Sequence, residues 1–165
     1  DCSGKSTLAR HIAIQRDAVY IHASGAMPLQ SVMQDYHESL LAIALQNLEM
    51  GRNVVMDRFW PSEVVYGKAL RPGLHDLVYD VDKIVAMLEG TDVSYVFCND
   101  PEVENRHAAQ QDPAHPYDRE QFTEIVKAYD RLTKEMMTSV EPHFYVRQYD
   151  VTVYGNQMGT FVDAL

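Results

Sequence analysis

One short stretch at the start of the chain, DCSGKST at residues 1–7, constrains the fold more than any other feature. It matches the second half of the phosphate-binding pattern G-x-x-x-x-G-K-[ST], in which a glycine lets the backbone approach a phosphate closely. Successive backbone N–H groups and the N-terminus of the following helix then form an anion site. Lys5 is predicted to reach the β- and γ-phosphates of a nucleotide, and the Ser6 hydroxyl to hold Mg²⁺. A chance G-K-S-T before an ordinary helix is the competing interpretation, and the rest of the chain argues against it.

The first glycine of this pattern would fall before Asp1. A strand precedes the loop in a complete fold of this kind. We therefore expect the first strand of the sheet to be missing from this sequence.

Length and composition predict a single globular domain over residues 1–165, with enough residues to bury a core. Hydrophobic residues make up 46% and charged residues 23%, which is ordinary for a soluble protein. No apolar run approaches the roughly 18 residues that a membrane span needs, so no membrane partner is expected. Two cysteines, Cys2 and Cys98, do not make a disulfide framework, and a reducing, cytoplasmic setting is predicted.

The formal net charge is −10, and the sequence pI is near 5.0. This balance argues against a broad, non-specific surface for nucleic acid, which needs clustered Lys and Arg. It does not exclude one small polyanion in a locally basic cleft, because the local field and the net charge are separate quantities.

Hydrophobic periodicity predicts strands and helices in alternation, which is typical of an α/β fold with a parallel sheet and helices on both faces. The predicted strands are 18–22, 53–56, 93–98 and 144–149. The predicted helices are 6–15, 29–50, 77–88 and 118–139, together with one that Pro61 opens.

Two of the predicted strands end in polar residues. A short apolar run ends in Asp57-Arg58, and open α/β sheets bind ligands at the carboxyl ends of their strands. Asp57 and Arg58 are therefore functional candidates, with a strand-capping ion pair as an equal alternative. His22 ends the preceding strand. For this residue we favour a histidine at the edge of a loop that takes no part in chemistry over a functional one.

These landmarks together resemble those of thymidylate kinases. In that family the phosphate loop is followed by an Asp-Arg-aromatic motif, a serine, an aromatic residue and an arginine before glycine. The corresponding residues here are Asp57-Arg58-Phe59, Ser62, Tyr66 and Arg71. The stretch 100–106 resembles the start of the family's lid, which we place at about residues 104–118. The resemblance covers the whole chain, extends to phage-type nucleoside and nucleotide kinases, and implies a P-loop NTPase fold.

The resemblance also implies a role for each matching residue. For ATP and Mg²⁺ the implied ligands are Ser3, Gly4, Lys5, Ser6 and Thr7, with Ser6 and Asp57 as the metal residues. The implied catalytic residues are Lys5, Asp57, Arg58 and the first lid arginine, Arg106. The implied acceptor contacts are Asp1, Arg58, Phe59, Trp60, Tyr66 and Arg71. Base stacking by Phe59 and Trp60 competes with ordinary buried packing of the two rings.

The sequence also departs from the family. Arg106 is the only arginine in the lid segment 106–111, and the phosphate loop has Cys2 where some members of the family have an arginine. Arg119 is a candidate substitute. Gly67 replaces a usual glutamine, and the stretch 22–25 lacks the arginine that often grips a monophosphate. A nucleoside monophosphate brings about two negative charges, and so few cations on the acceptor side favour a neutral hydroxyl as acceptor.

The leading functional prediction is transfer of the ATP γ-phosphate to a deoxynucleotide, in the manner that converts dTMP to dTDP. Two kinases of a neutral hydroxyl remain open, one acting on a deoxynucleoside and one on 5-hydroxymethyluridine in DNA. DNA is a partner only in the latter case. A P-loop NTPase without a small acceptor and a non-catalytic homologue are alternatives that Lys5, Asp57 and Arg58 argue against. A homodimer is left open.

Overall fold

The computed structural model describes residues 4–23, 32–70, 79–100, 118–138, 144–150 and 162. Helices and strands alternate along most of the chain, as the periodicity predicts. The helices are α1 (Lys5–Gln15), α2 (Met33–Glu49), α3 (Trp60–Leu70), α4 (Val81–Met87) and α5 (Arg119–Thr138). The strands are β1 (Val19–His22), β2 (Val54–Asp57), β3 (Val93–Asn99) and β4 (Phe144–Asp150).

The strand pairs that the structure describes are parallel. Strand β1 pairs with β2 and places His22 beside Asp57, while β3 pairs with β4 from Val93 beside Phe144 onwards. Parallel neighbours need a crossover connection, and α2 supplies it between β1 and β2. This confirms the predicted α/β class with parallel strands.

The chain divides into two compact units, one of residues Ser6–Glu89 and one of residues Asp1–Lys5 with Gly90–Leu165. The first contains β1 and β2, and the second contains β3 and β4. A single domain with one sheet and helices on both faces stays a prediction.

The core of the unit Ser6–Glu89 is built around α2, which packs against β1 and β2. Its buried residues are spaced four, four and three positions apart, which puts them on one face of a helix. These residues are Met33, His37, Leu41 and Ala44. Full burial of a leucine such as Leu41 contributes about 1.5–3 kcal/mol. Helix α2 therefore holds the two strands in place from one face.

Polar side chains define where two of the helices start. The Asp80 carboxylate accepts a hydrogen bond from the backbone N–H of Lys83, so α4 starts at Val81, later than the predicted start at residue 77. At the start of α5, Asp118 and Gln121 each bond the other's backbone N–H through their side chains. This reciprocal pair forms a capping box, and it explains why the helix begins where the sequence predicts.

In the second unit, α5 packs against β4. It buries Phe122, Ile125 and Thr133, while Tyr149 of β4 is fully buried. Among the residues that the structure describes, no helix combines the length and apolar character needed to cross a membrane.

Candidate active site

The carboxyl ends of β1 and β2 meet at one edge of their pair. His22 and Asp57 are the last residues of the two strands and lie side by side in the parallel register. The backbone N–H of Ala23 donates to the Asp57 carbonyl oxygen at 3.0 Å, which extends the ladder one step further. Ligands of open α/β sheets bind outside this kind of edge. The structure therefore brings His22 and Asp57 together where a ligand is expected.

Asp57 is the centre of the polar contacts at this edge. The residue is only 1% exposed. Its Oδ2 accepts a hydrogen bond from the Tyr20 hydroxyl at 2.8 Å and lies 3.0 Å from Nδ1 of His22. A buried carboxylate is costly unless it is hydrogen-bonded, and these two donors offset that cost.

Tyr20 acts as a fixed donor to this carboxylate. Burial raises the pKa of its hydroxyl, and the hydrogen bond and charge of Asp57 raise it further, while Arg10 acts in the opposite direction. The Arg10 guanidinium lies 5.8 Å from the centre of the Tyr20 ring, and that ring stacks on His22 with centroids 6.5 Å apart. Tyr20 therefore stays a neutral phenol that orients both Asp57 and His22.

Arg58, the residue after β2, has a left-handed backbone. Its φ is +67°, a region that costs a non-glycine residue about 1 kcal/mol or more. Such strain persists only where the surrounding structure imposes it, and it is common at functional sites. The conformation turns the chain sharply between β2 and α3, and the Arg58 side chain is half-buried.

The aromatic residues after Arg58 are buried. Trp60 is 5% exposed, and the Phe59 ring packs 5.3 Å from the His37 ring, centre to centre, at an interplanar angle of 54°. This burial supports a packing role for both rings, and base stacking by them stays a prediction. Tyr66 is half-buried on α3.

A buried polar pair, His37 and Tyr79, lies beside Phe59. Nδ1 of His37 is hydrogen-bonded to the Tyr79 hydroxyl, and the two rings meet edge to face. Burial lowers the pKa of His37 to about 4 and raises the pKa of Tyr79 above its ordinary range. Sequence reasoning missed this pair. The signal was the position of His37, four residues from both Met33 and Leu41 in the apolar stripe of α2.

The structure describes the phosphate loop from Gly4 onwards. Gly4 has a φ of +71°, and α1 begins directly after it with Lys5, Ser6 and Thr7. A left-handed glycine followed by a helix N-terminus suits backbone N–H groups that bind phosphate. Ser3 and Asp1 lie outside the described residues, as do Arg71, Arg106 and residues 104–117 of the lid-like segment.

The predicted site residues are divided between the two units. Gly4 and Lys5 belong to one unit. The other unit holds Ser6, Thr7, Asp57, Arg58, Phe59, Trp60 and Tyr66.

Magnesium binding would rest on few protein ligands. Within the described part of the chain, no three His, Cys, Asp or Glu side chains form a group suited to a metal ion. Mg²⁺ in phosphate-transfer sites uses one or two protein ligands together with substrate phosphates, and a single hydroxyl such as that of Ser6 fits this pattern. Asp57 is the second residue that would hold the metal, and its carboxylate is buried and already accepts a hydrogen bond from Tyr20.

The helices and parallel strands together show the fold. The chain has an α/β fold of the P-loop NTPase type, similar to the folds of solved structures. No protein-family model matches the chain, and no curated protein matches its sequence.

Two solved structures are similar to this chain. One is the YorR protein from Bacillus subtilis in complex with phosphorylated GDP, with a TM-score of 0.66 and 15% identity over 99% of this chain and 88% of that one. The other is deoxyadenosine kinase from M. mycoides with bound dCTP, with a TM-score of 0.59 and 13% identity over 99% of this chain and 95% of that one. At these identities the likeness concerns the fold.

Proposed function

We propose that this chain is an ATP-dependent kinase of a deoxynucleoside or deoxynucleotide. The observation that carries the proposal is the left-handed Gly4 followed at once by a helix that opens with Lys5, Ser6 and Thr7. The fold likeness supports the same class, since one similar structure is a deoxyadenosine kinase and the other was solved with phosphorylated GDP.

The donor side of the proposed site consists of Ser3, Gly4, Lys5, Ser6 and Thr7. ATP and Mg²⁺ bound there supply the phosphoryl group and neutralise part of its charge. Lys5 contributes a positive charge to the transferred phosphate, and the backbone N–H groups after Gly4 hold the phosphates in place. Phosphoryl transfer depends mainly on such positioning and electrostatic stabilisation.

The acceptor side of the proposed site lies at the carboxyl end of β2. Asp57 positions the attacking group, and Arg58 holds negative charge on the acceptor side. Asp1, Tyr66 and Arg71 complete the proposed acceptor contacts, and the resemblance to thymidylate kinases assigns Arg106 the role of the first lid arginine.

The resemblance to thymidylate kinases makes dTMP the first acceptor to test. A neutral hydroxyl, on a deoxynucleoside or on 5-hydroxymethyluridine in DNA, is the second candidate. The sequence supports this second candidate, because the stretch 22–25 lacks the arginine that often grips a monophosphate in similar kinases.

The test measures transfer of label from γ-labelled ATP by the full chain. The acceptors are dTMP, other deoxynucleoside monophosphates, thymidine, deoxyadenosine, and DNA containing 5-hydroxymethyluridine. Lys5→Ala should lower transfer by about a hundredfold or more, because one cation on the developing charge contributes that much. Lys134→Ala is the matched control, since Lys134 is an exposed lysine paired with Asp130 on α5, and exposed pairs contribute little.

Label on any of these acceptors that depends on Lys5 supports the proposal. Rapid ATP hydrolysis with no labelled acceptor would instead identify a P-loop NTPase and overturn it.

A further inference from the structure

Arg58 lies between two neighbours whose positions are fixed. Its φ is +67°, and a residue other than glycine keeps such a backbone only where the surrounding structure imposes it. On one side, Asp57 ends β2, and its carbonyl oxygen accepts the backbone N–H of Ala23 at 3.0 Å. On the other side, the carbonyl oxygen of Phe59 accepts the backbone N–H of Ser62 at 2.9 Å, where α3 starts. The position of Phe59 therefore decides whether Arg58 keeps its turn.

His37 of α2 packs against the Phe59 ring. Phe59 is 9% exposed and His37 only 4%. The ring centres lie 5.3 Å apart at an interplanar angle of 54°, as in favourable tilted aromatic contacts. An imidazole is costly to bury without a hydrogen bond, whereas an apolar side chain of the same size carries no such cost. Packing alone therefore does not explain why a histidine occupies this position.

Tyr79 fixes the orientation of this imidazole. Its hydroxyl is hydrogen-bonded to Nδ1 of His37, and Tyr79 is itself only 6% exposed. The two rings meet edge to face, with an interplanar angle of 90°. Because the imidazole cannot turn without losing this hydrogen bond, it presents a fixed surface to the Phe59 ring.

Two further contacts join the chain around the start of α4 to the first half of α2. The backbone N–H of Asp80 donates to Oε1 of Gln34 at 2.9 Å, and Nζ of Lys83 lies 2.7 Å from Oε1 of Glu38. The Lys83 side chain is 55% exposed, and exposed ion pairs contribute little to stability. The buried hydrogen bond of Tyr79 is therefore the contact that restrains the core side of α2.

We propose that His37 and Tyr79 are positioning residues for Arg58 in the binding of the acceptor. The pair holds the Phe59 ring, Phe59 imposes the left-handed turn on Arg58, and the turn sets the direction in which the arginine side chain leaves the backbone. Placed in this way, Arg58 binds an anionic oxygen on the acceptor side. This inference rests on the acceptor role proposed above for Arg58.

The competing explanation is that the pair only fills the core beneath α2. Changes in His37 or Tyr79 would then alter the free energy of unfolding and leave the acceptor KM of the folded chain as it is. A positioning role instead predicts a rise in this KM, and the rise should disappear once the Arg58 side chain has been removed.

The test is a double-mutant cycle on the full chain, with the acceptor that the labelling experiment identifies. His37→Ala removes the imidazole, and it should raise the acceptor KM by about tenfold or more, because a hydrogen bond to a charged group contributes at least that factor. The KM for ATP should change little. Tyr79→Phe removes only the hydrogen bond and should raise the acceptor KM by less. In chains that already carry Arg58→Ala, neither substitution should raise it further.

Leu41→Ala is the control for a loss of stability alone. Leu41 is 1% exposed and lies four residues after His37 on the same buried face of α2. This substitution should destabilise the fold and leave the acceptor KM at its wild-type value. A second readout does not depend on activity, namely the rate at which trypsin cleaves after Arg58. Local opening exposes this bond, so cleavage should be faster in His37→Ala and Tyr79→Phe than in Leu41→Ala.

The outcomes separate the inference from the proposed function. A rise in acceptor KM that depends on Arg58, with faster cleavage after Arg58, supports the inference. An unchanged acceptor KM, a rise that persists in full beside Arg58→Ala, or equal cleavage rates in all chains overturns it and leaves the kinase activity standing. If His37→Ala does not fold, Tyr79→Phe alone completes the cycle. No transfer by the wild-type chain overturns the proposed function and the inference with it.

Discussion

Arg58 combines a strained backbone with a functional side chain, and two substitutions separate these contributions. Arg58→Gly and Arg58→Ala both remove the guanidinium, so both should raise the KM for the acceptor. Glycine adopts the φ of +67° without a steric penalty, whereas alanine retains the strain. We therefore expect Arg58→Ala to unfold about 1 kcal/mol more easily than Arg58→Gly in urea. Unchanged acceptor kinetics in both variants would remove the role given to the side chain.

Asp57 has two candidate roles that one substitution distinguishes. Asp57→Asn keeps the shape of the residue but removes its charge. If Asp57 positions the attacking group, kcat should fall by about 10² or more, while the Mg²⁺ concentration needed for half-maximal activity stays the same. A shift of that Mg²⁺ requirement to higher concentration would instead make Asp57 a metal ligand.

Tyr20 provides a milder test of the same contacts. Tyr20→Phe removes one hydrogen bond to Oδ2 and keeps the ring stacked on His22. We expect a lower kcat with unchanged KM, and a smaller loss than in Asp57→Asn, because only one of the contacts to the carboxylate is removed. Tyr145→Phe is the matched control, because Tyr145 is exposed on β4. Equal effects of the two substitutions would show that Tyr20 does not position the pair.

Single residues differ in how far the sequence predicts them. Asp57 and Arg58 were predictable as site candidates, because an apolar run ends in them. The contact between His22 and Asp57 was not, since it depends on the register of two strands 35 residues apart, and the sequence favoured a histidine with no chemistry. The left-handed backbone of Arg58 had no signal either, because that conformation is usually marked by Gly or Asn.

Most helices and strands could be predicted from the sequence, because buried residues recur along the chain at a spacing that is characteristic of each element. The apolar stripe of α2 and the alternation of helices with short apolar runs are properties of the sequence itself. Helix ends were less predictable where a side chain in the preceding loop accepts a hydrogen bond from a backbone N–H of the helix. Asp80 is an example, since its bond to the Lys83 N–H starts α4 later than the apolar pattern alone predicts.

The end of α2 is set by Gly51, which the sequence identifies as a stop. Its φ is +74°, and the backbone N–H groups of Gly51 and Arg52 bond the carbonyls of Leu48 and Asn47. This is the Schellman arrangement, which needs a left-handed residue after the helix. No described atom lies within 4 Å of an added Cβ, so the cost of a substitution is backbone strain alone.

Gly51→Ala should therefore lower the free energy of unfolding by about 1 kcal/mol, and Gly51→Asn by less, because asparagine tolerates this conformation better. Urea denaturation of the three chains provides the measurement. Equal stability of Gly51→Ala and the wild type would mean that α2 ends differently in solution.

At the scale of the whole molecule, the sequence predicts the class of fold and not the arrangement of its parts. Alternating strands and helices imply parallel pairing, and the described pairs are parallel. Which strands pair depends on long-range contacts that local patterns do not encode. The net charge of −10 acts at this scale too, and it disfavours loose binding of DNA without deciding which acceptor fits one cleft.

The stability of the folded chain should depend on pH through His37. Burial lowers its pKa from 6.5 to about 4, so between these values the unfolded chain binds a proton that the folded chain does not. The contribution of His37 is therefore complete above pH 6.5 and is lost as the pH falls towards 4. At pH 5 the loss amounts to about 2 kcal/mol.

Urea denaturation at pH 7 and pH 5 tests this expectation. His37→Gln should remove that part of the pH dependence, and the remaining change reports the carboxylates. Tyr79→Phe is the informative control, because it deletes the hydrogen bond to His37 and keeps its burial. Since desolvation causes the shift, Tyr79→Phe should keep the wild-type pH dependence. If Tyr79→Phe lost it as well, the hydrogen bond and not burial would keep His37 neutral in the fold.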